Sequence, residues 1–266
     1  MGEHHWTSNI TAVAPNSLKV RGYSLDDLMG RASFGQMVFL LLKERLPTPS
    51  EGRMIEAILV SSVDHGVTPP SALSALTVAS TGAPLNASVV AGILSISKFH
   101  GGAIEDCMRL LASTRELLHK HQCGNLETAA DMMIEQMRHE KRRLPGFGHR
   151  IHTADPRTAK LFALSAEYGI SGDCVTTSQI LKARLLEKTG KKLPINVDGA
   201  IAAILCDMGF DPACANGLFM IARLPGLIAH VIEEQSRQKP MRKIDPVDHS
   251  YDGPDEKQVP NDWSIF

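Results

Sequence analysis

The run Leu144-Pro145-Gly146-Phe147-Gly148-His149-Arg150, followed by Asp155-Pro156-Arg157 and much later by Asn196-Val197-Asp198-Gly199, holds the densest chemistry in the chain. It offers an imidazole on a glycine-rich turn, a guanidinium at the head of one helix and a carboxylate at the head of another. Those are a base, an anion clamp and an acid drawn from three segments. They suit proton transfer on a bound substrate that carries carboxylates. Gly146 and Gly148 free the backbone around His149 to approach a ligand and to present main-chain N–H groups. The spacing is not a dinucleotide fingerprint, because Ile151 stands where a third glycine is required and no strand clearly precedes it.

Each of these residues also has a plainer reading. A histidine alone in a loop, such as His149, is often solvated or structurally hydrogen-bonded. Asp155-Pro156 is a good helix start, so Arg157 could be a first-turn surface charge. About one turn from His149, its planar fork could instead grip a carboxylate with two parallel hydrogen bonds. Asp198 could simply cap the helix that the apolar run Ala200 to Met208 predicts. Asp64-His65-Gly66 and Phe99-His100-Gly101-Gly102 add two histidines at the edges of apolar segments, where a satisfied core histidine is the bland alternative. His119, His121 and Cys123 alternate as metal ligands might, but they sit at a polar helix end and read as a solvated tip. Arg138, Lys141, Arg142 and Arg143 read as a solvated helix face that would also suit phosphates.

The chain has 266 residues, enough for one large domain or two unequal ones. Hydrophobic residues make up 43% and charged residues 21%, as in soluble globular proteins, and no apolar run looks long enough to span a bilayer. A formal net charge of −1 argues against a nucleic-acid surface, so local arginines must hold any anionic substrate. Five cysteines without a C-x-x-C pair fit reduced, buried thiols rather than a disulfide frame or a zinc site. The start, Met1-Gly2-Glu3-His4-His5-Trp6, lacks a signal or myristoylation pattern, so the expected address is the cytoplasm, with no membrane partner.

These residues must be positioned by helices, since helical spacing dominates and sustained alternation is scarce. Phe34, Met37, Val38, Leu41 and Leu42 form an apolar stripe after a possible Ser33 cap; Pro47 and Pro49 close it before Met54, Ile55, Ile58 and Leu59 open another. The segment Asn86 to Phe99 is small and apolar nearly all round, which predicts a buried helix, and close backbone approach at Gly92 would serve core packing or else a subunit contact. Further helices are expected at about 103–119, 127–140, 157–168, 174–188, 199–208 and 214–236, with Gly169, Gly190 and Gly209 as stops. The polar stretch after Pro246 reads as an extended arm.

In order along the chain, Arg21-Gly22-Tyr23-Ser24-Leu25-Asp26-Asp27-Leu28 with Ser33-Phe34, Asp64-His65-Gly66, His100-Gly101-Gly102-Ala103, the Gly146 to Arg157 block, Asn196-Val197-Asp198, and Ala222-Arg223 through Gly226-Leu227-Ile228-Ala229-His230 resemble the citrate synthase superfamily. The resemblance runs from about Gly22 to Asp248. The chain is shorter at its start than a full citrate synthase, and its motifs look most like the citryl-CoA lyase branch, the module found at the C-terminus of ATP citrate lyase.

The resemblance implies an all-α fold, with a large helical domain (1–102 and 210–266) and a smaller mobile helical domain (103–209). It implies His149 as the histidine that handles the oxygen on the central carbon, Asp198 as the carboxylate that exchanges a proton with the acetyl carbon, and His100 as the donor to the thioester oxygen. His65, Arg150, Arg157, Arg223 and Arg242 fall where the family holds substrate carboxylates, and Pro145, Gly146, Phe147 and Gly148 where it holds coenzyme A. Arg242, whose place Lys239 could take under a shifted alignment, is expected to reach into a neighbouring copy of a homodimer or larger homo-oligomer. Citryl-CoA cleavage to acetyl-CoA and oxaloacetate is the activity implied, with the coenzyme A thioester as substrate and neither metal nor resident cofactor expected. A synthase-like His100 stands where the ATP citrate lyase module carries Phe, which keeps a short citrate synthase open. A lyase for a methylcitryl or citramalyl thioester, or a non-catalytic binding subunit with the same fold, also stays open. With no Walker loop, this chain alone is not expected to activate citrate with ATP.

Overall fold

The computed structural model describes residues 6–120, 124–148 and 155–263, and of His119 and Lys120 only the backbone. The chain begins with a small antiparallel sheet ordered β1 (Thr11–Ala14), β2 (Ser17–Val20), β3 (Tyr23–Ser24). Pro15-Asn16 turns the first hairpin with Asn16 at φ 58°, and Arg21-Gly22 turns the second with both residues at positive φ. Positive φ at both residues of the second turn matches the right-handed twist of its flanking strands. Val20 is the sheet's buried residue and packs with Leu28 and Leu40.

Eleven helices follow among the described residues: α1 (Leu25–Leu28), α2 (Phe34–Lys43), α3 (Pro49–Ser61), α4 (Pro70–Ser80), α5 (Leu85–Leu94), α6 (Ala103–Lys120), α7 (Leu126–His139), α8 (Pro156–Glu167), α9 (Asp173–Thr189), α10 (Val197–Asp207) and α11 (Ala215–Arg237). The fold is all-α apart from the hairpin sheet. Ser33 does cap α2, accepting from the Gln36 N–H while the Gln36 side chain accepts from the Ser33 N–H, a reciprocal capping box. Gly169, Gly190 and Gly209 end α8, α9 and α10 with φ between 65° and 68°, the left-handed stop only glycine adopts freely.

Packing divides the chain into two compact units, Met1–Ser61 with Ala103–Leu218, and Ser62–Gly102 with Phe219–Phe266. Residues 1–61 thus pack with 103–218, where the expected division grouped them with 62–102. In the first unit α10 is buried on nearly every side and lies against α6, α8 and α9, with Ile201, Ile204 and Leu205 inaccessible to solvent. An all-apolar helix of small and branched residues can occupy only such a place.

In the second unit Ala72, Ala75 and Ala79 of α4 meet Val89 of α5 and Leu227 and Val231 of α11. A Cβ on Gly92 would come within 2.9 Å of the Ser71 carbonyl, so close approach at that glycine serves α4–α5 packing. The expected burial of α5 holds on one face only: Val90 and Leu94 are 52% and 77% exposed. The segment also stops being helical at Leu94, five residues before its expected end. One stretch, Pro212–Arg237, is long and apolar enough by length and composition to cross a membrane, contrary to the reading of the sequence. In this fold it carries the buried core residues Leu218, Leu227 and Val231.

Candidate active site

In the first unit the glycine-rich turn is clipped to the start of α10. The Gly148 N–H donates to the Pro194 carbonyl (2.7 Å), the Asn196 N–H donates to the Gly146 carbonyl (3.0 Å), and Phe147 bridges to Ile195. Gly146 has φ 81°, and a Cβ there would come within 2.7 Å of both the Gly199 Cα and the buried Cys107 Sγ. Two glycines in two motifs therefore answer one requirement, contact of backbone against backbone. Asn196 completes the clip: its side-chain oxygen accepts from the Gly199 N–H (3.1 Å) and its amide donates to the Gly148 carbonyl (2.8 Å).

Asn196 is thus the cap of α10, and Asp198, in the first turn and partly exposed, is not. The plain capping role considered for Asp198 belongs to its neighbour. Burial raises the Cys107 thiol far above its ordinary value, and the charge of the nearby Asp198 raises it further. The start of α8 is tied to the same place by Thr158, whose hydroxyl donates to the Ile195 carbonyl (3.1 Å).

Arg157 stands in the first turn of α8, as expected, but its fork is already engaged. Asp155 caps the helix through the Arg157 N–H (3.0 Å), and the same buried carboxylate takes Nε (3.1 Å) and Nη2 (2.9 Å) of Arg157. The Asp-Pro-Arg sequence therefore builds both a helix start and a fixed guanidinium. His149 and Arg150 lie outside the described residues, as do His121 and Cys123 and the side chain of His119.

The second unit collects His65, His100 and Arg223. The chain from Ser97 to Gly102 is a tight turn closed by the Ser97 and His100 backbones (2.8 and 2.9 Å). Gly101, at φ 85°, lies flat against Phe219 and Ile96, where a Cβ would approach to 2.7 and 2.8 Å. His100 Nε2 lies 2.8 Å from the hydroxyl of buried Ser71, and its ring meets Phe219 edge-on at 6.0 Å. Burial, with the charges of Arg223 and His65 nearby, lowers the His100 pKa, so the ring is neutral at physiological pH. A neutral imidazole can donate a hydrogen bond without giving up its proton.

Arg223 is buried, with Nε donating to the Ser62 carbonyl (2.9 Å) and its guanidinium 5.1 Å from the centre of the Phe219 ring. The turn that carries His65 is held from α11. Asp64 Oδ1 lies 3.0 Å from His230 Nε2, and Oδ2 accepts the Gly66 N–H (2.9 Å). A Cβ on Gly226 would come within 2.5 Å of the Val63 carbonyl, so glycine is needed for the turn to lie on the helix. Arg223, Gly226 and His230 recur at helical spacing and share one face.

Arg242 is also paired within its own chain: Nε and Nη2 meet the two oxygens of buried Glu234 at 2.7 and 2.6 Å. Asp64, Ser71, Phe219 and Asn196 support the site residues without having been assigned a role beforehand. Asp64 and Asn196 lay within quoted motifs, whereas Ser71 and Phe219 left no local signal. Among the described residues, no group of three His, Cys, Asp or Glu side chains is placed to hold a metal ion.

Residues 47–244 match the family described as citrate synthase, C-terminal domain. This chain belongs to the citrate synthase family. It is similar to the structure of citryl-CoA lyase from Hydrogenobacter thermophilus, with 40% identity, 96% of this chain and 97% of that chain covered, and a TM-score of 0.82. It also shares its fold with ATP citrate lyase from Methanothrix soehngenii, solved with citrate and coenzyme A, at 22% identity and a TM-score of 0.78 over 96% of this chain and 43% of that one. An Arabidopsis thaliana ATP-citrate synthase beta chain is 27% identical over 86% of this chain, which spans only 37% of that relative's length.

Proposed function

We propose that this chain is a citryl-CoA lyase, cleaving citryl-CoA to acetyl-CoA and oxaloacetate. The near end-to-end likeness to the Hydrogenobacter thermophilus enzyme, at 40% identity, carries this reading. The bond that breaks joins the tertiary alcohol carbon to the methylene beside the thioester. As it opens, His149 takes the hydroxyl proton, and the bonding electrons pass into the thioester to form an enolate. The neutral His100 ring donates to the enolate oxygen, and losing such a donor commonly costs about 3 kcal/mol of barrier. Asp198, in its acid form, then delivers a proton to the carbon.

His65, Arg150, Arg157 and Arg223 hold the carboxylates, which fixes the reacting carbons in line. Asp155 and the Ser62 carbonyl orient two of those guanidiniums in advance. Pro145, Gly146, Phe147 and Gly148 offer a turn for coenzyme A. Arg242, steadied by Glu234, is assigned to the site of a second copy in a homo-oligomer.

The test supplies citryl-CoA to the purified chain and follows oxaloacetate, then supplies oxaloacetate with acetyl-CoA and follows free coenzyme A thiol. Rapid oxaloacetate release without thiol release is expected. Stoichiometric thiol release would make the protein a synthase and overturn the proposal.

A further inference from the structure

The residue at the N-cap of α9 is Gly172, which has no side chain with which to cap it. The cap comes from another helix. Asp207, the last residue of α10, accepts the N–H groups of Gly172 (2.8 Å), Cys174 (2.8 Å) and Val175 (3.0 Å). An ionised carboxylate there meets three otherwise unsatisfied donors at the positive end of the helix. The same docking sets the residue before Asp207 beside the second residue of α9. Cys174 and Cys206 lie with their sulfurs 2.8 Å apart, the Cys174 thiol donating.

Arg115 of α6, ion-paired with Asp173 through Nη2, places Nη1 3.9 Å from the Cys174 sulfur. Arg115 also lines a cavity of about 140 Å³, together with Leu118, Leu126, Asp173, Thr176 and Thr177. Cys174 is buried and Cys206 is partly exposed. The bond from Cys174 lowers the Cys206 thiol below its ordinary value and pushes Cys174 up, so the accessible sulfur is the one that ionises.

We propose that Cys206 and Cys174, assisted by the Arg115 cation, form a dithiol that reacts with hydrogen peroxide and closes to an intrachain disulfide. The Cys206 thiolate attacks one oxygen of the peroxide and breaks the O–O bond, giving a sulfenic acid and hydroxide, which takes up the proton Cys206 had released. The Cys174 sulfur then attacks the sulfenyl sulfur, forming the S–S bond and releasing a second water with the Cys174 proton. Two thiols lose two electrons in total and the peroxide is reduced to two waters. The disulfide would staple α9 to the helix whose other end bears Asp198.

The experiment treats the full chain with hydrogen peroxide, blocks remaining thiols by alkylation and maps the peptides by mass spectrometry. The expected product joins residues 174 and 206, returns to two thiols with dithiothreitol, and leaves Cys214 alkylatable. Cys174→Ser should strand Cys206 as a sulfenic acid trapped by dimedone, and Arg115→Gln should slow the reaction several-fold. Unchanged alkylation of both cysteines after peroxide, or Cys206 passing to a sulfinic acid with no cross-link, would overturn the proposal. An Arg115→Gln chain that reacts at the original rate would overturn the part given to the cation.

Discussion

Asp64 and His230, 166 residues apart in sequence, are joined by one hydrogen bond of 3.0 Å that holds the turn bearing His65 against α11. Burial opposes the Asp64 charge, but the His230 and Gly66 hydrogen bonds outweigh it and bring the carboxyl to about 2 from its usual 3.8. The Asp64 bond in turn raises His230 above its usual 6.5, against the effect of burial. The Asp64 contribution is present above its usual 3.8 and is lost as pH falls toward about 2. The His230 contribution is complete below 6.5 and is lost as pH rises through its elevated value. Asp64 is 39% exposed, so water screens the pair and its worth is about 1 kcal/mol. His230→Ala should therefore destabilise most between pH 4 and 6.5, and urea unfolding at pH 5 and pH 9 should show the smaller difference at pH 9.

Asp198→Asn should leave the fold intact, because Asn196 does the capping. Turnover of citryl-CoA should fall at least about a hundredfold, as expected when a proton-transfer group is removed. Circular dichroism and steady-state kinetics on one preparation check both halves, and near-normal kcat would remove Asp198 from its role.

Ser71→Ala removes the hydroxyl that fixes the His100 ring. A hydrogen bond worth about 1 kcal/mol corresponds to roughly a five- to tenfold loss of kcat. KM should change little, since Ser71 is buried beneath the histidine. A rise in KM at constant kcat would assign the pair to binding instead.

Gly146→Ala places a methyl group against Cys107 and Gly199 at a backbone φ of 81°. Left-handed strain and overpacking together should cost roughly 2–4 kcal/mol. Thermal unfolding should register this as a lower midpoint, whereas alanine at Gly217, with open space where its Cβ would sit, should not.

Removing Arg242 leaves Glu234 buried without its bidentate partner, at a cost of about 3 kcal/mol. Arg242→Ala combined with Glu234→Gln should recover much of that stability while activity stays low. Recovery of activity along with stability would make Arg242 a structural residue only.

Most helices were legible because their cores repeat at helical spacing and their ends carry punctuation. Ser33 with Gln36, Asp155-Pro156 and the three stop glycines announce boundaries by local chemistry alone. Helix α4 was not read, since Pro-Ser-Ala-Leu-Ser-Ala-Leu-Thr-Val-Ala-Ser has no charged face to contrast with an apolar one. The hairpin strands, four residues or shorter, are too brief for alternation to register. Within the site, the motif residues stood out while their supports did not. Ser71 meets the His100 turn from α4, and nothing local in the sequence marks that partnership. Arg157 and Arg242 were read as open clamps because a carboxylate that folds back on a nearby guanidinium, as Asp155 and Glu234 do, does not show its direction in the sequence.

Helix α10 serves different masters at its two tips, roughly 16 Å apart for a helix of 11 residues. In a saturation scan read by both cellular abundance and catalysis, those tips should separate cleanly. Variants at Asp198 should accumulate normally yet be inert. Variants at Asp207, which strip a neighbouring helix of its borrowed terminus, should be scarce and normally active molecule for molecule.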